Sequence, residues 1–388
     1  MNEIQFIALG GGQEVGASCY FLTLNGSHIL LDCGKKITPN GLTAPNLFPV
    51  LQPPFLESLS QIHQIFISHS HYDHLGDLPS IASQCVNAAL YATPITKALA
   101  RYVLWDVGGR YIQGVPPAKK EQDEILTAAA VDRIIPVGFC QTLTLPGYKA
   151  TFYEAGHIPG ASMIHLRAPD RSVLYTGDFS CGETALTSGC ALPRGLKADV
   201  LIVCGLHAKH PEFSYSKRLP GQTRSLEALL RQGKSVHLRT SQLTKGLELL
   251  MMINQAMEKG FPKRNVYIDE SILSLAEKME SLHIPVLREG NYRAGGQIPP
   301  HSICIGKRAP FGFYTIPMDF SLHPTFQEVK ELIKHINPTT AVIVHAGPSY
   351  SLIYEKALET ALLAEQAQSG QETLTRVIYA ENGRGYVL

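Results

Sequence analysis

The stretch ISHSHYDHLGDLP, residues 67–79, sets His69, His71, Asp73 and His74 within six positions, directly after an apolar run. Only 15 histidines occur in the chain, so crowding three of them around one aspartate is a chemical choice. An H-x-H-x-D-H string offers imidazole nitrogens and a carboxylate oxygen together, a ligand set suited to zinc, manganese or iron. The run QIFISHS (64–70) reads as a strand ending at this cluster. Alternation along it would turn His69 and His71 to one face, while Asp73 and His74 could turn from the loop beyond towards a neighbouring point. Four ligand types so close behind a buried strand argue against a merely solvated loop.

Three further segments repeat the order of strand, ligand and Gly-rich turn. TFYEAGHIPGA (151–161) delivers His157, VLYTGDFS (173–180) delivers Asp178, and AVIVHAGPS (341–349) delivers His345. A single histidine after a strand is more often a hydrogen-bonded structural residue. Together with the first string these make seven ligands, which suffice for two metal ions if one carboxylate is shared. Asp32, closing HILLDCG (28–34), reads equally well as a turn residue or as a group behind the ligands that orients one of them by hydrogen bonds.

The surrounding pattern is α/β. IQFIAL (4–9), CYFLTL (19–24) and HILLDCG look like consecutive strands, with Asn25-Gly26 as the turn between the last two. PSIASQCVNA (79–88) opens with Pro at a helix start. SMIHLRA (162–168), SVLYTGD (172–178) and DVLIVCG (199–205) continue the strand series, several apolar throughout as strands covered on both faces are. From about residue 206, SLEALLRQ, KGLELLMMINQAMEKG and ILSLAEKMESL show helical spacing around the short strands VYID and SICIG. FQEVKELIKHI (helix), TAVIVHAG (strand), a long helix from about 349 to 368 and a closing strand RVIYA follow. The expected organisation is one α/β domain (1–205 and 321–388) interrupted by a second (206–320). The opening GGGQEVG is followed by a strand and does not fit G-x-G-x-x-G, so a dinucleotide cradle is rejected in favour of a tight turn near the metal cluster.

With 45% hydrophobic and 17% charged residues, 388 residues can bury a sizeable core. Lys and Arg (34) nearly balance Asp and Glu (33), but residues 205–320 hold 16 basic against 10 acidic residues, a local net of +6 that could attract a polyanion. The eight cysteines (Cys19, Cys33, Cys85, Cys140, Cys181, Cys190, Cys204 and Cys304) form no C-x-x-C pair and mostly lie in apolar stretches, so they read as small buried hydrophobes. No charged-then-apolar leader and no uninterrupted 18-residue apolar run is apparent, so a soluble, cytoplasmic protein without membrane partners is expected.

The string HSHYDH, with LDCG before it and His157 and Asp178 after it, resembles the metallo-β-lactamase fold, whose sites occur in this order. GGGQEVGASCYFL (10–22) resembles the start of its β-CASP nucleases, in particular the endonuclease of pre-mRNA 3′ ends and its archaeal and bacterial relatives, with ribonuclease J further away. The resemblance covers 1–205 and again 318–388. It implies an αββα sandwich with an inserted, shortened β-CASP-like α/β domain of about 115 residues. It assigns His69, His71 and His157 to one metal, Asp73, His74 and His345 to the other, and Asp178 as the bridge, zinc being the default metal and manganese the alternative. MDFSLHP (318–324) resembles the motif that supplies a general acid, giving His323; the ordinary reading is a residue just before a helix near Pro324.

The chain also departs from the family. In DVLIVCGLHAKH (199–210) the acidic partner expected for that histidine is Cys204, which cannot be a charged acceptor unless it is a thiolate; His207 or His210 could take over part of its role. The segment SVHLRTSQLTKGLELL lacks the family's Pro-x-Phe and Gly-Arg features and has Arg239 and Lys245 nearby.

Within the resemblance, His345 favours RNA over DNA. The implied activity is hydrolysis of single-stranded RNA by metal-activated hydroxide, with Asp73 and Asp178 among the catalytic residues. Phosphate contacts are expected from Lys209, Lys217, Arg218, Arg239, Lys245, Arg264, Arg293, Lys307 and Arg308. Base stacking could come from Phe213, Tyr215, Tyr292 and Phe311. Two alternatives stay open: a hydrolase of the same fold acting on DNA, a nucleotide or a small ester, and a catalytically weak RNA-binding partner subunit. A homodimer is a permitted assembly.

Overall fold

Both alternating sets of side chains in the first strands are apolar, and both are buried: Phe6 and Ala8 on one face, Ile7 and Leu9 on the other. A strand covered on both faces belongs inside a layered structure. The computed structural model describes residues 3–111, 117–206, 214–240, 242–347, 356–363 and 375–388.

Two seven-stranded sheets form the centre of the first unit. In the first, Gly385–Val387, Gln5–Gly10, Cys19–Leu24 and Ser27–Leu31 run antiparallel, and Gln64–Phe66, Ala89–Ala92 and Ile134–Pro136 continue in parallel. In the second, Arg376–Tyr379, Thr340–Val344, Val200–Cys204 and Ser172–Tyr175 are parallel, while Ser162–Arg167, Tyr148–Glu154 and Thr142–Leu145 are antiparallel. Phe6, Tyr20, Leu22, Ile29 and Phe66 of the first sheet pack in one cluster with Phe152, Ile164, Val173, Val200 and Val342 of the second. The outer face of the first sheet packs with Leu75, Ile81 and Ala82 from its helices. The outer face of the second meets Val329, Leu332 and Ile333 of the helix Phe326–Ile336, together with Leu358 and Leu362. The result is the αββα sandwich.

Local chemistry explains several joints. Asn25 and Gly26 both adopt positive φ (48° and 78°), the conformation of a tight primed hairpin turn. The helix Phe326–Ile336 starts with a reciprocal capping box between Thr325 and Glu328, which fixes the chain just after His323. The chain does not close on RVIYA. Gly385–Val387 adds a further strand, antiparallel to Gln5–Gly10 with Val387 opposite Gln5. Three residues are too few to show a period. Of the long helix expected over 349–368, residues 356–363 are described and helical.

The chain divides into two compact units: Met1–Cys181 with Gly189–Lys209 and His323–Leu388, and Gly182–Ser188 with His210–Leu322. The excursion Gly182–Ser188 has no counterpart in the hydropathy pattern. The second unit holds a five-stranded parallel sheet in the order Asn291–Arg293, Val266–Ile268, Ile303–Gly306, Val236–Arg239, Tyr314–Pro317. Leu226 and Leu230 of helix Tyr215–Arg231, Leu247 and Leu250 of Leu243–Glu258, and Ile272 and Ala276 of Glu270–Ser281 are buried. No helix among the described residues is long and apolar enough to cross a membrane.

Candidate metal centre

The strand leading to the histidine string stops at Phe66, so strand alternation does not orient His69 and His71. The cause is competition for Ser68. Its N–H donates to the Asp32 carboxylate (2.7 Å), and its carbonyl accepts from Ser162 N–H (2.9 Å). His69 therefore follows a chain already drawn out of the sheet. His71 precedes a single helical turn, Tyr72–Leu75, that carries Asp73 and His74. That turn is locked in place: Asp73 O accepts from Ser18 N–H (2.9 Å) and His74 O from Cys33 N–H (2.8 Å). A Cβ on Gly34 would lie 1.7 Å from Asp73 O, so no other residue fits there.

The remaining groups arrive from the ends of other strands. His157 follows Gly156, whose φ is 73°, and Asp178 follows Gly177 at 53°. His345 itself adopts φ 54°, with its N–H bonded to Gly11 O at 2.6 Å. The Gly-rich opening thus ends as a turn against the site. Left-handed conformations at Asp32 (φ 60°) and His345 are costly for non-glycine residues and are held by these contacts.

All seven residues converge within the first unit. One ligand atom from each of His69, His71, His157 and Asp178 can be chosen so that all lie within 4.8 Å of one another, and likewise for Asp73, His74 and His345. Asp178 Oδ2 is the hub, lying 3.8 Å from His69 Nε2, 3.4 Å from His74 Nε2, 3.8 Å from His157 Nε2 and 3.5 Å from His323 Nδ1. His345 Nε2 lies 3.6 Å from Asp73 Oδ2.

Hydrogen bonds behind the ligands fix their tautomers. Asp32 accepts from Ser68 Oγ (2.7 Å), Tyr175 Oη (2.6 Å) and His74 Nδ1 (2.7 Å). A carboxylate cannot donate, so Nδ1 of His74 carries a proton and its Nε2 faces Asp178. Ser68 has spent its one proton on Asp32 and must accept from His69 Nδ1 (3.0 Å), which leaves His69 Nε2 with its lone pair towards the cluster. Ser18 Oγ lies 2.9 Å from His345 Nδ1. Ser18, Ser68 and Tyr175 carried no signal in the sequence beyond lying a few residues from a ligand or from the Gly-rich turn.

Burial and the charges of the clustered groups set their protonation. Burial holds His69 well below the usual imidazole range, and burial with the neighbouring His157 brings His71 down to about 3, so both are neutral donors. Burial opposes the charge on Asp178, but His345, His74 and His323 outweigh it and keep the carboxyl well below its ordinary value. For His74 burial is likewise overcome, by Asp178 and Asp32, and its pKa rises. His69 Nε2, Asp178 Oδ1 and His345 Nε2 are buried without a hydrogen-bond partner among the described residues. Buried polar atoms are rarely left so. Three of them aimed into one cluster of imidazoles and carboxylates fit divalent metal.

Cys204 is buried, with its sulfur grouped with Asp178 and His323. Burial and the nearby Asp178 push its thiol well up, so it is a neutral thiol at ordinary pH. The carboxylate facing His323 is that of Asp178.

The expected RNA contacts divide. Arg218 is held bidentately by Asp319 (2.9 and 2.6 Å), and Arg293 pairs with Glu270 (2.8 Å). Lys245 packs over the Phe320 ring, and burial lowers its pKa. Arg264 donates to the carbonyls of Lys263 and Leu230. Lys217, Arg239, Lys307 and Arg308 are exposed. Tyr215 donates to Glu248 (2.7 Å) and packs edge-on against Phe320, a structural role, whereas Tyr292 and Phe311 are exposed. Lys209, Phe213, His207 and His210 lie outside the described residues.

Residues 12–219 match the family model described as the metallo-beta-lactamase superfamily, more than half of the chain, and the chain belongs to that superfamily. Within it, the chain is homologous to endoribonucleases of the β-CASP group. It is 28% identical over 275 residues to endoribonuclease YSH1 of Gibberella zeae and 30% identical over 271 residues to endoribonuclease ysh1 of Schizosaccharomyces pombe. It is also 29% identical over 296 residues to the cleavage and polyadenylation specificity factor 73 of Drosophila melanogaster. These alignments cover 69%, 68% and 76% of this chain but only 32%, 34% and 42% of the relatives, so the chain matches a third to two fifths of their length. The crystal structure of a protein of unknown function from Enterococcus faecalis V583 superimposes over the whole of both chains with TM-score 0.63 at 14% identity, a likeness of fold.

Proposed function

We propose that this protein is a ribonuclease hydrolysing phosphodiester bonds of single-stranded RNA. The observation that carries the reading is the convergence of four imidazole nitrogens on Asp178 Oδ2, within 3.8 Å, beside the second group of Asp73, His74 and His345. His69, His71 and His157 would hold one divalent ion, Asp73, His74 and His345 the other, and Asp178 would serve both. Two such ions supply a water of lowered pKa and positive charge for the attacking and leaving oxygens. Zinc is the proposed metal because imidazoles outnumber carboxylates in the donor set.

The chain's own residues do the rest. Asp32 and Ser68 hold His74 and His69 in the tautomers that present Nε2 to the centre. His323, part-exposed and facing Asp178, is placed to give a proton to the departing oxygen. The nearest carboxylate to its Nδ1 is Asp178, at 3.5 Å, so a charged group stands near His323 although Cys204 carries none. Exposed Lys217, Arg239, Lys307 and Arg308 are the proposed phosphate contacts. Homology to proteins named endoribonucleases supports RNA as substrate. A cytoplasmic location, in keeping with eight cysteines that all stand as free thiols, belongs to the same proposal.

The test is cleavage of labelled single-stranded RNA and DNA by purified protein, with elemental analysis of the same sample. The reading expects RNA cleavage, two equivalents of zinc, and loss of cleavage on chelation or with Asp73→Ala. Equal or faster cleavage of DNA or of a small phosphodiester would replace it with the broader hydrolase reading. RNA binding without any cleavage would make the chain a partner subunit.

A further inference from the structure

Away from the metal-binding groups, two thiols face each other where the chain leaves and re-enters the first unit. Cys181 and Cys190 flank the excursion Gly182–Ser188, and their sulfurs lie 3.5 Å apart. Both ends of this neck are held by the backbone. Ser180 N–H donates to Ala155 O (3.0 Å), Cys190 N–H to Ser180 O (2.7 Å) and Ala191 N–H to Glu154 O (3.0 Å). A Cβ on Gly156 would come within 2.4 Å of Cys190 N, so the neck lies flat against the loop that carries His157. The excursion itself is anchored within the second unit, where Ala185 N–H donates to the buried Glu248 carboxylate and Ala185 O accepts from Gln255. The two cysteines are thus pinned side by side by contacts that do not involve their thiols.

We propose that Cys181 and Cys190 are a modification site: a thiol pair that a low-molecular-weight disulfide converts reversibly to an intramolecular disulfide. The gap from 3.5 Å to an S–S bond of ~2.05 Å is within reach of side-chain rotation. Cys181 is exposed and Cys190 half-buried, so an oxidant can reach the pair, whereas Cys19, Cys33, Cys85, Cys204 and Cys304 are buried. The Cys190 S–H donates to Cys181 Sγ, so the two sulfurs already face each other along the line of the bond to be formed.

The chemistry balances. The thiolate of one cysteine of the pair attacks one sulfur of oxidised glutathione, forming a mixed disulfide and releasing one glutathione thiolate. The other thiol gives up its proton to solvent and attacks the protein sulfur of that mixed disulfide, expelling the second glutathione. Two protein thiols are oxidised as one disulfide is reduced to two thiols. The proposal does not depend on the hydrolase reading.

The experiment treats the full chain with oxidised glutathione, quenches with acid, blocks remaining thiols with N-ethylmaleimide and maps the peptides by mass spectrometry. The expected result is a Cys181–Cys190 linked peptide that disappears on treatment with dithiothreitol, formed before Cys140, the other exposed cysteine, reacts appreciably. In Cys181→Ser, and likewise in Cys190→Ser, the second thiol is missing, and a glutathione adduct on the remaining cysteine of the pair is expected to accumulate instead. Adducts spread over Cys140, Cys181 and Cys190 with no linked peptide, or Cys140 reacting first, would overturn the assignment.

Discussion

Replacing Asp32 by Asn tests the metal centre from behind its ligands. Asn tolerates the left-handed conformation that Asp32 occupies (φ 60°), so the perturbation falls on the carboxylate alone. Asp32 Oδ1 accepts from Ser68 N–H, and Oδ2 accepts from Ser68 Oγ, Tyr175 Oη and His74 Nδ1, all at 2.6–2.7 Å and fully buried. An amide offers one acceptor oxygen and turns two hydrogens to the other side. At best Ser68 N–H is left facing a donor; at worst the three groups on Oδ2 are. The milder case removes a hydrogen bond to a charged group and orphans a buried N–H, together about 3 kcal/mol of folding stability. His74 also loses the charged partner that fixes its tautomer, and removing such a partner typically weakens metal binding about 10- to 100-fold. Guanidinium unfolding of metal-stripped protein and competition with a chromophoric chelator measure the two effects separately. A variant with the wild-type unfolding midpoint and wild-type metal affinity would refute the reasoning.

Three other perturbations separate chemistry from structure. His323→Ala is expected to keep both metal equivalents while RNA cleavage falls about 10²- to 10⁴-fold; metal lost together with activity would make His323 a ligand, and full activity would end its role as proton donor. His165 is buried, and burial lowers its pKa to about 4. The unfolded chain, with a His pKa near ~6.5, binds more protons below that value, so stability is lost as pH falls from about 6.5 to 4, by roughly 3 kcal/mol through this residue. His165→Gln should flatten the dependence of the unfolding midpoint on pH in that window, and an unchanged slope would show that another group is responsible. Arg133 donates to the carbonyls of Ala82, Cys85, Val86 and Ala88, closing the end of helix Leu78–Gln84. Arg133→Ala should cost about 2–3 kcal/mol in denaturant unfolding with metal affinity intact, and a loss below measurement error would mean that water replaces the guanidinium at no cost.

Much of the architecture was legible because its signals are local. CYFLTL spans Cys19–Leu24 and FQEVKELIKHI spans Phe326–Ile336, residue for residue, since apolar period and capping chemistry are written within a few neighbours. Where long-range bonds compete, the reading failed. QIFISHS ends as a strand at Phe66 because Asp32 and Ser162 take the Ser68 backbone, and Gly385–Val387 becomes a strand only because Gln5–Gly10 offers it an edge. Arg218 and Arg293, phosphate-contact candidates in the sequence, pair at the surface with Asp319 and Glu270 from positions no pattern connects.

Residue type and order alone supplied the inventory of imidazoles and carboxylates at the ends of apolar runs, because hydropathy and ligand chemistry belong to each residue wherever it sits. Tertiary structure decided which nitrogen of each histidine points inward and which carboxylate faces His323. Those outcomes depend on pairs such as Asp32 with Tyr175, 143 residues apart, and Ser18 with His345, 327 apart. Such distances are closed by sheet register and by two apolar faces packing together, and no stretch of sequence contains both partners.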